Sequence, residues 1–339
     1  MSEEVGGRRS PGTSNPAVRG AGPADPAPPQ RLVTRIVLEF MIDHLAASNR
    51  VHGGDMKAMV VFMAIQQANI EFIESDPERA AGCFGDYPND ALRRPITAHA
   101  LAQSVSLPPE TCRRYVQRLL DQGYCRRVGG RGLIVPSEVM TREPFASSIG
   151  ATQDAFVKML KALHAVGFDV LAAATARRGP AESIFRLPPE PLRFALWTVM
   201  TGYVMRVLLD GIENHDRDFI RGLIFIAVMT MNVSHITHDA AEAWRYADAA
   251  TTPPDDMRAP ASVRAVADRV GMPYETTRQH LIRLVELGRA SRVAGGFIIP
   301  SSVNSDPRYL RMGLNLYLRL LRAVSQLERL GFDFGRAVA

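Results

Sequence analysis

The sequence predicts a mainly α protein with small β-hairpins, built from two tandem copies of one unit. Three observations carry that prediction. A stretch at 107–123, LPPETCRRYVQRLLDQG, returns at 272–288 as MPYETTRQHLIRLVELG. The correspondence extends well beyond this pair. His52, Asp55 and Asn69 recur 163 positions on as His215, Asp218 and Asn232. Pro95, Ala102, Val105, Glu110, Thr111, Arg113, Leu119, Gly123 and Arg127 recur 165 on, as Pro260, Ala267, Val270, Glu275, Thr276, Arg278, Leu284, Gly288 and Arg292. Pro136 and Gly167-Phe168-Asp169 recur 164 on, as Pro300 and Gly331-Phe332-Asp333. So small a drift over more than a hundred positions marks an internal duplication of a unit of about 150 residues. Finally, apolar residues fall mostly at helical spacing, and strand-like runs are short.

Taken in order, residues 1–30 hold six Pro, five Gly and no apolar period, so a disordered tail is expected. Arg8, Arg9 and Arg19 are balanced there by Glu3, Glu4 and Asp25, which argues against a nucleic-acid-binding arm. The first repeat spans 31–171. It opens with helices over 32–47 and 55–73, the second capped by Asp55, whose carboxylate can accept the free N–H groups of the first turn. That second helix is apolar on most sides and should be central in a core. A Gly/Pro/Asp-rich loop covers 75–93, a basic module 95–136, and a helix 152–166 that ends at Gly167 as its C-terminal cap. Residues 172–191, rich in Ala, Arg and Pro, read as a linker. The second repeat, 192–335, carries a basic module at 260–300 and a helix at 309–330. The longest apolar run, near 219–233, contains Arg221 and is too short to span a bilayer, so it is expected in the core.

Charge is concentrated where the repeat is clearest. The formal net charge is +5. Residues 95–136 contain six Arg and two acidic residues, and 260–300 contain six Arg and three. These modules therefore contribute +4 and +3, and the rest of the chain sums to −2. Among 40 basic residues only Lys57, Lys158 and Lys161 are lysines. Arginine offers a planar fork for phosphate or guanine, although a compositional bias toward Arg would leave the same mark.

Within each module the expected order is helix, turn, helix, hairpin. Thr97 and Ser262 stand where a hydroxyl would cap the first helix. Pro108 and Pro273 fall at the start of the second helix, where a missing N–H costs nothing, and Gly123 and Gly288 end it. The second helix keeps Cys112, Val116, Leu119 and Leu120 on its back in one copy, and Thr277, Leu281, Leu284 and Val285 in the other. Its front carries Thr111, Arg113, Arg114, Gln117 and Arg118, answered by Thr276, Arg278, Gln279, Ile282 and Arg283. Strand-like YCRRV and LIVP flank Gly129-Gly130-Arg131-Gly132, and ASRV and FIIP flank Ala294-Gly295-Gly296, which reads as a hairpin turn. The glycine run precedes no helix, so a phosphate-binding loop is not indicated.

The run LAQSVSLPPETCRRYVQRLLDQGYCRRVGGRGLIVP resembles the winged helix-turn-helix DNA-binding segment of GntR-, IclR- and MarR-type bacterial transcription regulators. The resemblance covers about 42 residues in each half. It implies two tandem winged-helix units with β-hairpin wings, each flanked by long apolar helices, forming an intrachain pseudo-dimer on double-stranded DNA. By that resemblance Thr111, Arg113, Arg114 and Gln117, with Thr276, Arg278 and Gln279, face base edges or phosphates in the major groove. Arg127, Arg131 and Arg292 reach phosphates or the minor groove from the wings, and Arg118 and Arg283 lie further down the helix, solvated or on phosphate. The two readers are expected one DNA turn, roughly 34 Å, apart. The second copy lacks the wing-tip arginine and has Ile282 for Gln117, so it should read sequence differently or more weakly.

Other chemistries find little support. Cys83, Cys112 and Cys125 form no CxxC pair, which argues against a zinc site or disulfide frame and for a reducing, cytoplasmic setting. His235-x-x-His238 has no evident third ligand, and His52 and His215 are expected to make structural hydrogen bonds. No nucleophile elbow, phosphate-binding loop, dinucleotide fingerprint or zincin motif occurs, so no enzyme activity and no cofactor is expected. Three functions stay open: a sequence-specific transcription regulator, a replication initiator or DNA-maintenance protein with tandem winged helices, and a protein-interaction scaffold. A homodimer through the flanking helices, a small-molecule effector and a protein effector stay open with them; a membrane partner is not expected.

Overall fold

The computed structural model describes residues 28–75, 90–180 and 185–339. The protein is mainly helical with small antiparallel sheets. The first half contains α1 (Gln30–Val51), α2 (Met56–Ser75), β1 (Ile96–Thr97), α3 (Ala98–Ser104), α4 (Pro109–Asp121), β2 (Arg126–Val128), β3 (Gly132–Ile134), α5 (Ser137–Thr141), α6 (Phe145–Ala165) and α7 (Val170–Arg178). The second contains α8 (Pro189–Ile212), α9 (Phe219–Asn232), α10 (Ser234–Thr237), α11 (Ala240–Arg245), α12 (Val263–Val270), α13 (Tyr274–Glu286), β4 (Ser291–Val293), β5 (Gly296–Ile298), α14 (Ser301–Asn304), α15 (Pro307–Arg329) and α16 (Phe334–Val338). The tail expected at 1–30 and most of the loop at 75–93 lie outside the described residues, except that Gln30 already begins α1.

The same caps recur in both halves. The Asp55 carboxylate accepts from Ala58 N–H at 3.2 Å, and that of Asp218 from Arg221 N–H at 3.1 Å. Thr97 and Ser262 cap α3 and α12, each accepting from the amide three residues on at 3.2 Å. Asp169 and Asp333 cap α7 and α16 in the same way at 2.9 Å. In the turn before the presented helix, Ser106 (φ 52°) and its counterpart Gly271 (φ 65°) are both left-handed, which reverses the chain between α3 and α4 or α12 and α13.

One boundary needs correcting. The segment read as a linker, 172–191, is helical over its first part as α7, which runs to Arg178, and its last residues, from Pro189, already belong to α8. Asp169 starts α7, and its buried face is just Val170 and Ala174, too narrow a stripe to register as amphipathic. A second correction concerns apolar length. Among the described residues, the helix long and apolar enough by composition to cross a membrane is α8 with the turn after it, 189–215, not the run at 219–233; 72% of its apolar window is buried within the protein. The run at 219–233 is core, as expected, with Phe219, Leu223, Ile224, Phe225, Ala227 and Val228 all buried.

Contacts between the halves are reciprocal. α1 packs along α6 and α8 along α15 within the halves, while α7 lies on α15 and α16 lies on α6 across them. Likewise α1 meets α9 and α15, and α8 meets α2 and α6. Each half thus completes the other's apolar cover: most buried residues from Leu32 to Phe334 form one continuous core, and Val233, Ile236 and Tyr246 form a small second cluster. Such mutual burial is strongly favourable, at about 25 cal/mol per Å² of apolar surface removed from water.

Three buried polar groups tie the hairpins and the helices together. Asn69, fully buried on α2, donates to Arg94 O (2.8 Å) and Leu133 O (3.0 Å), and its Oδ1 accepts from Val135 N–H (2.8 Å). Asn232 on α9 repeats this with Ala259 O (2.7 Å), Phe297 O (3.0 Å) and Ile299 N–H (2.8 Å). At the interface of the halves, His44 Nδ1 lies 2.9 Å from Thr152 Oγ1, which itself donates to Ser148 O. The hydroxyl proton is therefore used, and His44 must be the donor, its Nε2 facing Thr201 Oγ1 at 3.4 Å. Complete burial lowers the His44 pKa to about 4.

His52 and His215 do not make the side-chain hydrogen bonds expected of them. Among the described residues their Nδ1 atoms have no partner. Instead His52 packs among Phe62, Tyr124 and Phe145, and His215 among Phe225 and Tyr309, with ring centroids 5.0–6.0 Å apart. Burial lowers both to about 4.

Candidate nucleic-acid interface

The sequence seats α4 by its apolar back. Cys112, Val116 and Leu119 are buried and the helix packs on α2; Thr277, Leu281 and Leu284 seat α13 on α9. The two faces left to solvent differ. On α4 they carry Glu110, Arg113, Arg114, Gln117, Arg118 and Asp121, three arginines against two acids. On α13 they carry Glu275, Arg278, Gln279, Ile282, Arg283 and Glu286, two against two. Tyr274 and Ile282, 47% and 40% exposed, add apolar surface there.

Each arginine at the head of a presented helix is already held by a carboxylate. Arg113 donates through Nε (2.9 Å) and Nη2 (2.6 Å) to Glu110, a bidentate pair one turn apart. Arg278 and Glu275 repeat it at 2.9 and 2.7 Å. The hydrogen bonds hold the Glu110 and Glu275 carboxyls below the usual carboxylate range and raise the arginines. Glu110 and Glu275 were legible as repeated residues, but their role as partners was not read from the i, i+3 spacing.

The remaining candidates are placed unevenly. Thr111 and Thr276 are half-buried in the first turns. Arg114 is exposed, its guanidinium 5.5 Å from the Tyr115 ring centre. Gln117 donates to Asp121 at 2.8 Å, and Gln279 to Glu275 at 3.2 Å. Arg118 departs from the expected solvated or phosphate role, because it pairs with Asp55 at 2.6 Å and so fastens α4 to the start of α2. Arg283 pairs with Glu286 at 2.9 Å.

The hairpins carry the rest. β2 pairs with β3, and β3 with β1, while β4 pairs with β5 and Ala261 bridges Phe297 as Ile96 pairs with Leu133. Close approach dictates the glycines: a Cβ on Gly132 would stand 2.6 Å from Pro95 Cβ, and one on Gly296 2.3 Å from Ala261 O. Arg127, Arg131 and Arg292 are exposed on these hairpins. The second hairpin loop is one residue shorter, Ala294-Gly295 against Gly129-Gly130-Arg131. The deletion accounts for the missing tip arginine and for the step in offset from 165 to 164.

A further repeated element escaped the sequence reading, although it lies at the same offset. Asp90 forms an ion pair with the buried Arg93 at 3.3 Å and caps the Ser137 amide at 2.8 Å. Asp255 does the same for Arg258 (3.2 Å) and Ser301 (2.6 Å). These pairs lock the approach to each module onto the helix that follows its hairpin.

Among the described residues no cluster of three metal-ligating side chains occurs. His238 pairs with Glu39 at 2.9 Å, and His235 is exposed on a single helical turn. Cys112 and Cys125 are buried free thiols, the latter pushed up to about 12 by burial. No protein-family model matches the chain, and neither a curated protein nor a solved structure matches it.

Proposed function

We propose that this chain is a sequence-specific transcription regulator that binds double-stranded DNA through two winged-helix units arranged as an intrachain pseudo-dimer. In this reading α4 and α13 are the recognition helices and the β2–β3 and β4–β5 hairpins are wings. The observation that carries it is the Glu–Arg fork at the head of both presented helices. A guanidinium preset by a carboxylate loses less freedom when it meets guanine O6 and N7, and the carboxylate can accept from a neighbouring cytosine amine. Arg114 and the wing arginines Arg127, Arg131 and Arg292 are free to reach phosphates, which supply most of the affinity and its salt dependence. Arg118 stands outside this set, since its charge is committed to Asp55.

Selection from a random duplex library should enrich one asymmetric site. On that site Arg113→Ala and Glu110→Gln should each weaken binding by about tenfold or more, confined to one half-site. Arg278→Ala should cost less. No enriched sequence, or equal loss of both half-sites from either arginine change, would overturn the reading. The replication-initiator alternative uses the same interface and would be favoured by genome-wide crosslinking to a single origin rather than to promoters. For the second unit alone, exposed Tyr274 and Ile282 favour a protein partner as a second reading.

A further inference from the structure

A cavity of about 120 Å³ lies where α1 of the first half meets α8, α9 and α15 of the second. Its walls are mostly apolar, among them Leu38, Val207, Phe225 and Leu316. Arg31, Arg35 and Arg258 also line it. Arg35 and Arg258 are only 6% and 5% exposed, and each keeps one buried N–H without a partner among the described residues, Nε of Arg35 and Nη1 of Arg258. Arg35 donates only to the neutral carbonyls of Tyr246 (2.8 Å) and Ala243 (3.1 Å), whereas Arg258 has Asp255 at 3.2 Å. The carboxylates that line the space are engaged elsewhere, Asp210 with Arg319 at 2.7 Å and Asp218 with Arg221 at 3.3 Å. A buried guanidinium with no carboxylate in hydrogen-bond contact is costly, and burial together with Arg31 and Arg258 outweighs the nearby Glu39 and lowers the Arg35 pKa to about 10.

The duplication shows how the space arose. Gly222 and Gly313 line it, and at the matching positions of the first half stand Met59 and Ile149, both buried. At Gly222 the His215 ring takes up the room, 3.1 Å from where a Cβ would stand, so the side chain whose absence opens the space is the counterpart of Ile149, at Gly313.

We propose that this cavity binds a small organic monoacid, with its carboxylate on Arg35 and Arg258 and a ring-sized apolar body between α8, α9 and α15. The size fits: an engineered apolar cavity of about 150 Å³ accepts benzene. The wall helix α9 also seats α13, so an occupant would be felt at that helix; this coupling, unlike the binding itself, rests on the DNA-binding reading above.

The test is calorimetric titration of the full chain with benzoate, with benzyl alcohol as the neutral isostere. Benzoate should bind with a dissociation constant of about 10 μM to 1 mM, and benzyl alcohol at least tenfold more weakly. Arg35→Met should lose benzoate, but Arg35 also ties α1 to Tyr246 and Ala243, so its loss could come from misfolding. Gly313→Ile avoids this. Its Cβ would meet only Thr34 Oγ1, at 3.4 Å, and the change restores the residue of the first half. It should keep the melting temperature and reduce benzoate binding at least tenfold. Absence of binding by benzoate and hexanoate to the parent chain, equal binding of benzyl alcohol, or unchanged binding by a folded Gly313→Ile variant would each overturn the proposal. These readouts need no DNA, so they fail or succeed independently of the regulatory reading.

Discussion

Replacing Asn232 by Ala should open the second hairpin without unfolding the rest. The side chain makes three buried hydrogen bonds, at 2.7, 3.0 and 2.8 Å. Its removal strands the Ile299 N–H in a site with no water access, a cost of about 1–3 kcal/mol. The carbonyls of Ala259 and Phe297 each lose a donor, a smaller penalty because a carbonyl has a second lone pair. The sum is about 3–5 kcal/mol, a large share of the stability of a typical domain. Native-state hydrogen exchange resolves it locally. Protection of the Ile299 amide should fall by about two to three orders of magnitude, since about 1.4 kcal/mol corresponds to tenfold. Core amides of α1 and α6 should change little. Asn69→Ala should do the same to Val135, because the geometry is the same within 0.1 Å. A loss below about 1 kcal/mol at either site would refute the reasoning, as would a large loss at only one.

Acid should destabilise the fold between pH 6.5 and 4. His44, His52 and His215 are held neutral at about 4 when folded, whereas the unfolded chain takes up a proton on each near pH 6.5. Stability is therefore full above that value and falls as pH drops toward 4, by roughly 3 kcal/mol per histidine. Denaturant midpoints across this range should show the loss, and His44→Gln should reduce the slope by about one proton; an unchanged slope would refute the assignment. Arg217→Gly should stabilise the chain by about 0.5–1 kcal/mol: Arg217 holds φ 57° where the first copy has Gly54, and its Glu213 pair is exposed. A lowered denaturation midpoint would contradict it.

The duplication and the helix-turn-helix-hairpin order were legible because both leave marks in sequence, a constant offset and residues that only turns and caps require. Asn69 and Asn232 were visible as a repeat, yet their role was not, since their partners lie 25 to 67 residues away. α7 was hidden because two buried residues in nine make no visible stripe. The glutamates of the forks were in plain view at i, i+3, but reading the arginines as isolated charges concealed that they are paired. The cavity could not be read along either half by itself; it appears only when buried positions of one copy are subtracted from those of the other.

Carrying both halves on one chain has a consequence for how the two faces can diverge. In an assembly of two identical subunits every substitution is made twice, so a hollow opened in one core opens in both, and an arginine lost from one surface is lost from its mate. Here each position is encoded separately. Gly313 can empty one side while Ile149 keeps the other packed, and a tip can be shortened on one hairpin alone. The packed half then serves as ballast, holding the common core together while its twin is free to acquire an unlike task.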